Sequence, residues 1–106
     1  MTSPTQKSLQ KYRKEGYLCY ITETFNRFAG VRQDLFGFID ILCVKENEII
    51  GVQTTSQNNL QARVDKILKH KNYPIVKSSG IIIVVEGWAK FKVGKRLLWQ
   101  CKSKNL

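Results

Sequence analysis

Residues 38–44 read Phe-Ile-Asp-Ile-Leu-Cys-Val, six apolar residues around one carboxylate. Near-continuous apolar runs of this length, rich in β-branched residues, are the pattern of a strand buried on both faces. A lone carboxylate in such a strand costs several kcal/mol or shifts its pKa, so it has a partner, a metal or a task. Asp40 therefore constrains the fold and the chemistry more than any other residue. A second strand is expected over 49–55, after a short polar turn. A turn of two or four residues sets Asp40 opposite Gln53, with Thr55 a diagonal neighbour on the same face. An odd-length loop sets Asp40 opposite Thr54 and disperses the group. Both registers are open, because Glu46-Asn47 lacks the glycine that best fixes a two-residue turn.

The chain has 106 residues, enough for one core and too few for two, so a single domain over 1–106 is expected. Eighteen Lys and Arg against eight acids give a formal net charge of +10. That excess favours polyanionic partners, nucleic acid before an anionic membrane. No apolar run approaches the roughly 20 residues that span a bilayer. The first six residues, Met-Thr-Ser-Pro-Thr-Gln, hold no apolar signal core, which points to the cytoplasm. Cys19, Cys43 and Cys101 are odd in number, widely spaced and set in apolar strand contexts, and read as buried thiols in a reducing compartment.

Ser3 can cap a helix with Pro4 in its first turn and Gly16 just past its end. Leu9 and Tyr12 form its narrow apolar face. Lys7, Lys11, Arg13 and Lys14 cover the rest, either as a solvated surface or as phosphate contacts. Residues 17–25 are β-branched and aromatic, as in a strand. Their alternation puts Glu23 on one face with Tyr17, Cys19, Ile21 and Phe25. Glu23 is either a solvent-exposed strand end or a metal-shell or acid/base carboxylate beside Asp40. Residues 26–37 read as a long connection, with Arg27 and Arg32 as candidate phosphate contacts and Asp34 bonding the loop backbone.

After residue 55, the polar run Ser56-Gln-Asn-Asn59 supplies caps for a helix on which Leu60, Val64, Ile67 and Leu68 keep a helical period. Its opposite face presents Gln61, Arg63, Lys66 and Lys69. His70, at its end, has no second ligand at metal spacing and reads as a surface or capping residue. Pro74 opens a short turn or helix that Gly80 closes. Residues 81–85 form a continuous apolar strand, expected to be central and parallel to the Gln53 strand through a helical crossover. Residues 87–102 read as a hairpin around Gly94. In this terminal part Lys90, Lys92, Lys95, Arg96, Lys102 and Lys104 intermix with Trp88, Phe91 and Trp99. Either the basic residues and aromatics grip nucleic acid, or the tryptophans pack in the core and the lysines lie outside.

The elements therefore run helix, strand, strand, strand, helix, strand, strand. Gly37-Phe-Ile-Asp40, followed by a hairpin into Val52-Gln53-Thr54-Thr55, resembles the PD-(D/E)xK nuclease superfamily, and within it the small phage and archaeal Holliday-junction resolvases and virus-type replication-repair nucleases. The resemblance spans residues 18–85. It implies an α/β, restriction-endonuclease-like αβββαβ core: a three-stranded antiparallel meander, a parallel fourth strand and, here, a C-terminal β-hairpin. In that family an Asp, then a Glu and a Lys one residue apart, bind Mg²⁺ and activate water against a phosphodiester. Asp40 matches the Asp, Gln53 stands in the Glu place and Thr55 in the Lys place, so two of three positions depart from the pattern.

The resemblance thus implies Mg²⁺ or Mn²⁺ held by Asp40, Gln53 and Glu23, with Lys66 or Arg63 supplying the missing cation. It implies nucleic acid, DNA before RNA, gripped by Arg27, Arg32, Arg63, Lys90 and Lys92, and by analogy a homodimer, since a four-way junction presents two symmetric cuts. Two other functions fit the composition: a catalytically silent nucleic-acid-binding module of the same fold, and a basic protein-interaction factor.

Overall fold

The structure is a computed structural model that describes residues 3–106, with Phe25 and Asn26 described by their backbone alone. Met1 and Thr2, and the face taken by the Phe25 side chain, lie outside that description. Helix α1 (Pro4–Lys14) starts as its sequence dictates: Pro4 occupies the first turn and Ser3 Oγ accepts the Gln6 N–H at 3.2 Å. Lys11, Arg13 and Lys14 lie in the last turn, where cations suit the negative end of the helix dipole. Gly16, at φ +94°, releases the chain into β1 (Leu18–Ile21).

The expected long strand over 17–25 breaks after Ile21. Residues 24–26 form β2 (Thr24–Asn26), which pairs antiparallel with β3 (Val31–Gln33) in a separate two-stranded ribbon. A short hairpin thus occupies what reads in sequence as a long loop. The chain then enters β4 (Ile41–Lys45), turns through Glu46-Asn47 and returns as β5 (Glu48–Ser56). Asn47 adopts φ +61°, so asparagine, which tolerates the left-handed region, closes the two-residue turn in place of glycine. A 3₁₀ turn (Gln57–Asn59), α2 (Leu60–Leu68) and α3 (Tyr73–Ser78) cross over to β6 (Ile82–Val93), and β7 (Arg96–Asn105) ends the chain.

The main sheet has the order β1-β4-β5-β6-β7, with β5 and β6 parallel and all other pairs antiparallel. It is a five-stranded mixed sheet in an α/β fold. Helix α1 packs on one face, where Leu9 and Tyr12 meet Ile41, Cys43, Ile50, Val52 and Val84. On the other face Leu60, Val64, Ile67 and Val76, from α2 and α3, meet Phe38, Ile39, Ile83 and Val85. Each of these apolar side chains contributes about 1.5–3 kcal/mol when fully buried. No helix among the described residues is long and apolar enough to cross a membrane.

The apolar run 81–85 and the first arm of the C-terminal hairpin are one strand of 12 residues. Gly87 does not interrupt it: a Cβ there would meet Gln57 Cα at 3.1 Å and Ser56 O at 3.2 Å, so the missing side chain lets the 3₁₀ turn lie against β6. Beyond Trp88, where β5 has ended, the exposed distal half of β6 pairs with β7 alone and projects as a two-stranded arm. Of the three thiols, Cys43 alone is fully buried. Cys19 and Cys101 are half-buried, and Cys19 faces Cys43 across β1 and β4 with the sulfurs 3.5 Å apart.

Candidate functional site

Asp40 is 4 % exposed and sits just before β4, where strand alternation breaks. Ile39 packs beneath α2 and Ile41 beneath α1, so the two flanking residues enter opposite layers. The two-residue turn gives the even register, Ile41 opposite Val52, but the ladder stops there. The Asp40 N–H instead donates to Val52 O at 2.8 Å, and its carboxylate Oδ2 accepts the Thr54 N–H at 2.8 Å, with Thr54 Oγ1 at 3.3 Å. The carboxylate therefore settles on Thr54, the contact an odd loop would have given, although the loop is even.

Two further acids join it. Residues 35–39 fold back on themselves, with Leu35 and Ile39 exchanging backbone hydrogen bonds at 3.0 Å. The loop requires Phe36 and Gly37 at φ +57° and +93°. Gly37 is needed twice over, since a Cβ there would lie 2.5 Å from His70 Nε2. This closure sets Asp34 beside Asp40. Thr22 donates its N–H to Asp40 O and its hydroxyl to Ile39 O, which brings the following residue, Glu23, to the same place. One carboxylate oxygen from each of Glu23, Asp34 and Asp40 lies within 4.8 Å of the others.

Burial raises the Asp40 pKa to about 7; the Thr54 N–H works against the shift, and Asp34 and Glu23 reinforce it. Asp34 Oδ1 is buried without a hydrogen-bond partner among the described residues. Arg32 pairs with Glu23 at 3.1 Å while remaining largely exposed. Of the three acids, Glu23 borders a cleft of about 370 Å³ that Ser3, Pro4, Thr5, Gln6, Ile21, Arg32 and Thr54 also line, while Asp34 and Asp40 lie behind it. Thr5 and Thr54 share a hydroxyl hydrogen bond at 2.8 Å, which fixes the first turn of α1 over this edge.

The structure thus brings together Asp40, Glu23 and Arg32 of the expected residues, and adds Asp34. Gln53 and Thr55 do not join them. Val52 packs against α1 and Thr54 faces its first turn, so alternation carries Gln53 and Thr55, both buried, to the α2 face. Lys66 is exposed and Arg63 half-buried on α2, which covers that opposite face, so neither stands at the carboxylates. Arg27 lies exposed between β2 and β3, and Lys90 and Lys92 lie on the arm. His70 has a structural place: its Nδ1 accepts the Asn72 N–H at 3.0 Å and its ring meets Phe38 edge-on.

A second buried acid was not anticipated. Glu86 is fully buried and accepts hydrogen bonds from Ser8 Oγ at 2.6 Å, Lys11 Nζ at 2.5 Å and Tyr12 OH at 3.1 Å. Ser8 Oγ in turn accepts the Trp88 indole N–H at 2.8 Å. Burial pulls the Lys11 pKa down, but Glu86 outweighs it and holds the ammonium above its usual value; burial followed by Glu86 pushes the Tyr12 phenol well up. The network pins α1 to β6. Its signal was in the sequence, an acid directly after five apolar residues, and the argument applied to Asp40 applies equally to it.

No family model matches this chain, and neither a curated protein nor a solved structure is significantly similar to it.

Proposed function

We propose that this protein is a metal-dependent nuclease of the PD-(D/E)xK type that acts on DNA, with Mg²⁺ or Mn²⁺ held by Asp40, Asp34 and Glu23. The observation behind this reading is the convergence of three carboxylates. A chain with only eight acids and a net charge of +10 gathers three of them within 4.8 Å, at one end of its sheet. Like charges so close repel unless a cation or a proton neutralises them. The donor set suits a hard divalent ion. All three ligands are oxygens, their spread is what opposite ligands at roughly 2.0–2.6 Å from one ion would span, and Asp34 Oδ1 has no hydrogen-bond partner among the described residues. A bound ion of this kind polarises a phosphoryl oxygen and lowers the pKa of its water.

The chain's own groups would do the positioning. Arg32, exposed beside Glu23, has the forked geometry that grips a phosphate. The N-terminus of the 11-residue helix α1 borders the same cleft and directs the positive end of its dipole there. Burial of Asp40 keeps water from its inner edge, while the Thr54 N–H fixes one carboxylate oxygen. The order of α1, β1, β4, β5, α2 and β6, with β5 and β6 parallel, agrees with a restriction-endonuclease-like core into which β2 and β3 are inserted. In this reading Asp34 and Glu23 replace the family's Glu, and Arg32 replaces its Lys.

A binding module without cleavage is the second reading. It is favoured by the Arg32–Glu23 ion pair, which already neutralises part of the cluster. Thermal unfolding with and without Mn²⁺ and Mg²⁺, alongside cleavage of linear and branched DNA, separates the two. The nuclease reading expects either ion to raise the melting temperature of the wild type but not of Asp34→Asn or Asp40→Asn, and cleavage to need both acids. A wild type that neither responds to millimolar Mn²⁺ nor cuts any DNA would sink it.

A further inference from the structure

Where β5 ends at Ser56 and β6 continues, the sheet leaves a notch of about 570 Å³, within the roughly 300–1,000 Å³ typical of ligand sites. Its walls are Pro4 at the start of α1, Gln57 and Asn58 of the 3₁₀ turn, and Lys90, Phe91 and Trp99 of the arm. Trp88 is buried and committed to Ser8 through its indole N–H, whereas Trp99 is only half-buried and Phe91 is 45 % exposed. The ammonium groups of Lys90 and Lys7 stand 5.0 and 5.7 Å from the Trp99 ring. Residues 87–106 contain six Lys or Arg and no Asp or Glu, so the arm is uniformly positive. Pro4 also borders the cleft beside Glu23, so the two openings adjoin along the start of α1.

We propose that this notch is a stacking subsite for an unpaired DNA strand, which would place single-stranded ends or flaps in the adjoining cleft beside Glu23 and Arg32. The inference rests on the DNA reading of that cleft. Aromatic rings flanked by lysines recognise a single strand because its base faces are free, whereas duplex bases are already stacked on each other. A lysine poised over an exposed indole is held more weakly than a stacked base, so the bases can displace Lys7 and Lys90 from the ring and leave their charges for the phosphates.

The test is fluorescence anisotropy in EDTA, with a labelled oligodeoxynucleotide of about 15 nucleotides, longer than most single-strand sites, offered alone and as a duplex. The wild type is expected to prefer the single strand. Trp99→Ala should weaken single-strand binding by about 5- to 150-fold, with duplex binding unchanged and Trp99→Phe restoring most of the loss. Phe91→Ala, at an exposed position away from the core, should lose single-strand affinity in the same way. Lys90→Ala should flatten the salt dependence by about 0.7 in log–log slope. Equal effects on both forms, or none, overturn the inference, and tighter binding of RNA of the same sequence overturns the choice of DNA. A dimer that Trp99→Ala dissociates without changing DNA affinity reassigns the surface to a second copy and also overturns it. Asp40-dependent cleavage without single-strand preference defeats this inference alone. Trp99-dependent single-strand binding without Asp40-dependent cleavage defeats the nuclease reading alone.

Discussion

Asp40→Asn should make the metal-free protein more stable at neutral pH and leave it almost unchanged in acid. The Asp40 carboxyl is raised from 3.8 to about 7 in the folded state, with burial the leading cause. Between those values the folded protein holds a proton that the unfolded chain has lost, so stability falls as pH rises through this window. Below about pH 4 both states are protonated and the penalty vanishes; above about pH 7 it is complete. Three units at 1.36 kcal/mol each amount to roughly 4 kcal/mol, a large share of the 5–15 kcal/mol that holds a domain together. Asparagine removes the ionisation and keeps the contacts, since its amide oxygen can accept the Thr54 N–H and its amide nitrogen can donate to Asp34. The assay is urea unfolding followed by tryptophan fluorescence, in EDTA, from pH 4 to 8.5. With a slope of about 2 kcal/mol per molar urea, the midpoint of the variant should exceed that of the wild type by about 2 M at pH 8 and by little at pH 4. Adding Mn²⁺ should narrow the gap by stabilising the wild type alone. A pH-independent difference, or a variant less stable than the wild type at pH 8, would refute the reasoning.

Three other outcomes follow from the same geometry. Lys11→Met should cost about 3–5 kcal/mol because it strands the fully buried Glu86, whereas Glu86→Gln should cost only about 1–3 kcal/mol, since the Lys11 side chain is 37 % exposed and can turn to water; urea titration of both variants reads the asymmetry, and equal costs would contradict it. Gly37→Ala should lose about 1–3 kcal/mol through its positive φ and lose more through its collision with His70, so that His70→Ala rescues only the steric part in a double-mutant cycle. Burial lifts the Cys101 thiol to about 11, so its rate of alkylation should climb tenfold per pH unit from pH 7 to 10; a plateau near pH 8.5 would count against the burial.

The sequence carries the fold where side-chain pattern and local backbone agree. The cap and stop of α1 and the period of α2 are written in single residues. So is the oddity of Asp40. What escaped depends on backbone geometry that pattern does not encode. Asp34 reaches Asp40 because Phe36 enters the left-handed region, which a bulky residue seldom does and no motif announces. Gln53 and Thr55 missed the carboxylates because alternation fails between Ile39 and Ile41, and a period-2 reading assumes that it holds. Gly87 looked like a boundary, yet it answers to the close approach of another segment's backbone.

β6 passes from beneath the helices to the tip of the arm as one strand, so the aromatic notch is carried by the same sheet whose β4 begins at the Asp40 loop. At about 3.3 Å per residue its 12 residues make a beam of roughly 40 Å, braced by β5 from Ile82 to Trp88 and by β7 from Val84 to Val93. In the proposed reading, the interval between the stacking notch and the carboxylates is set by the sheet that carries both. A strand gripped at the outer station would be measured off against a fixed rule.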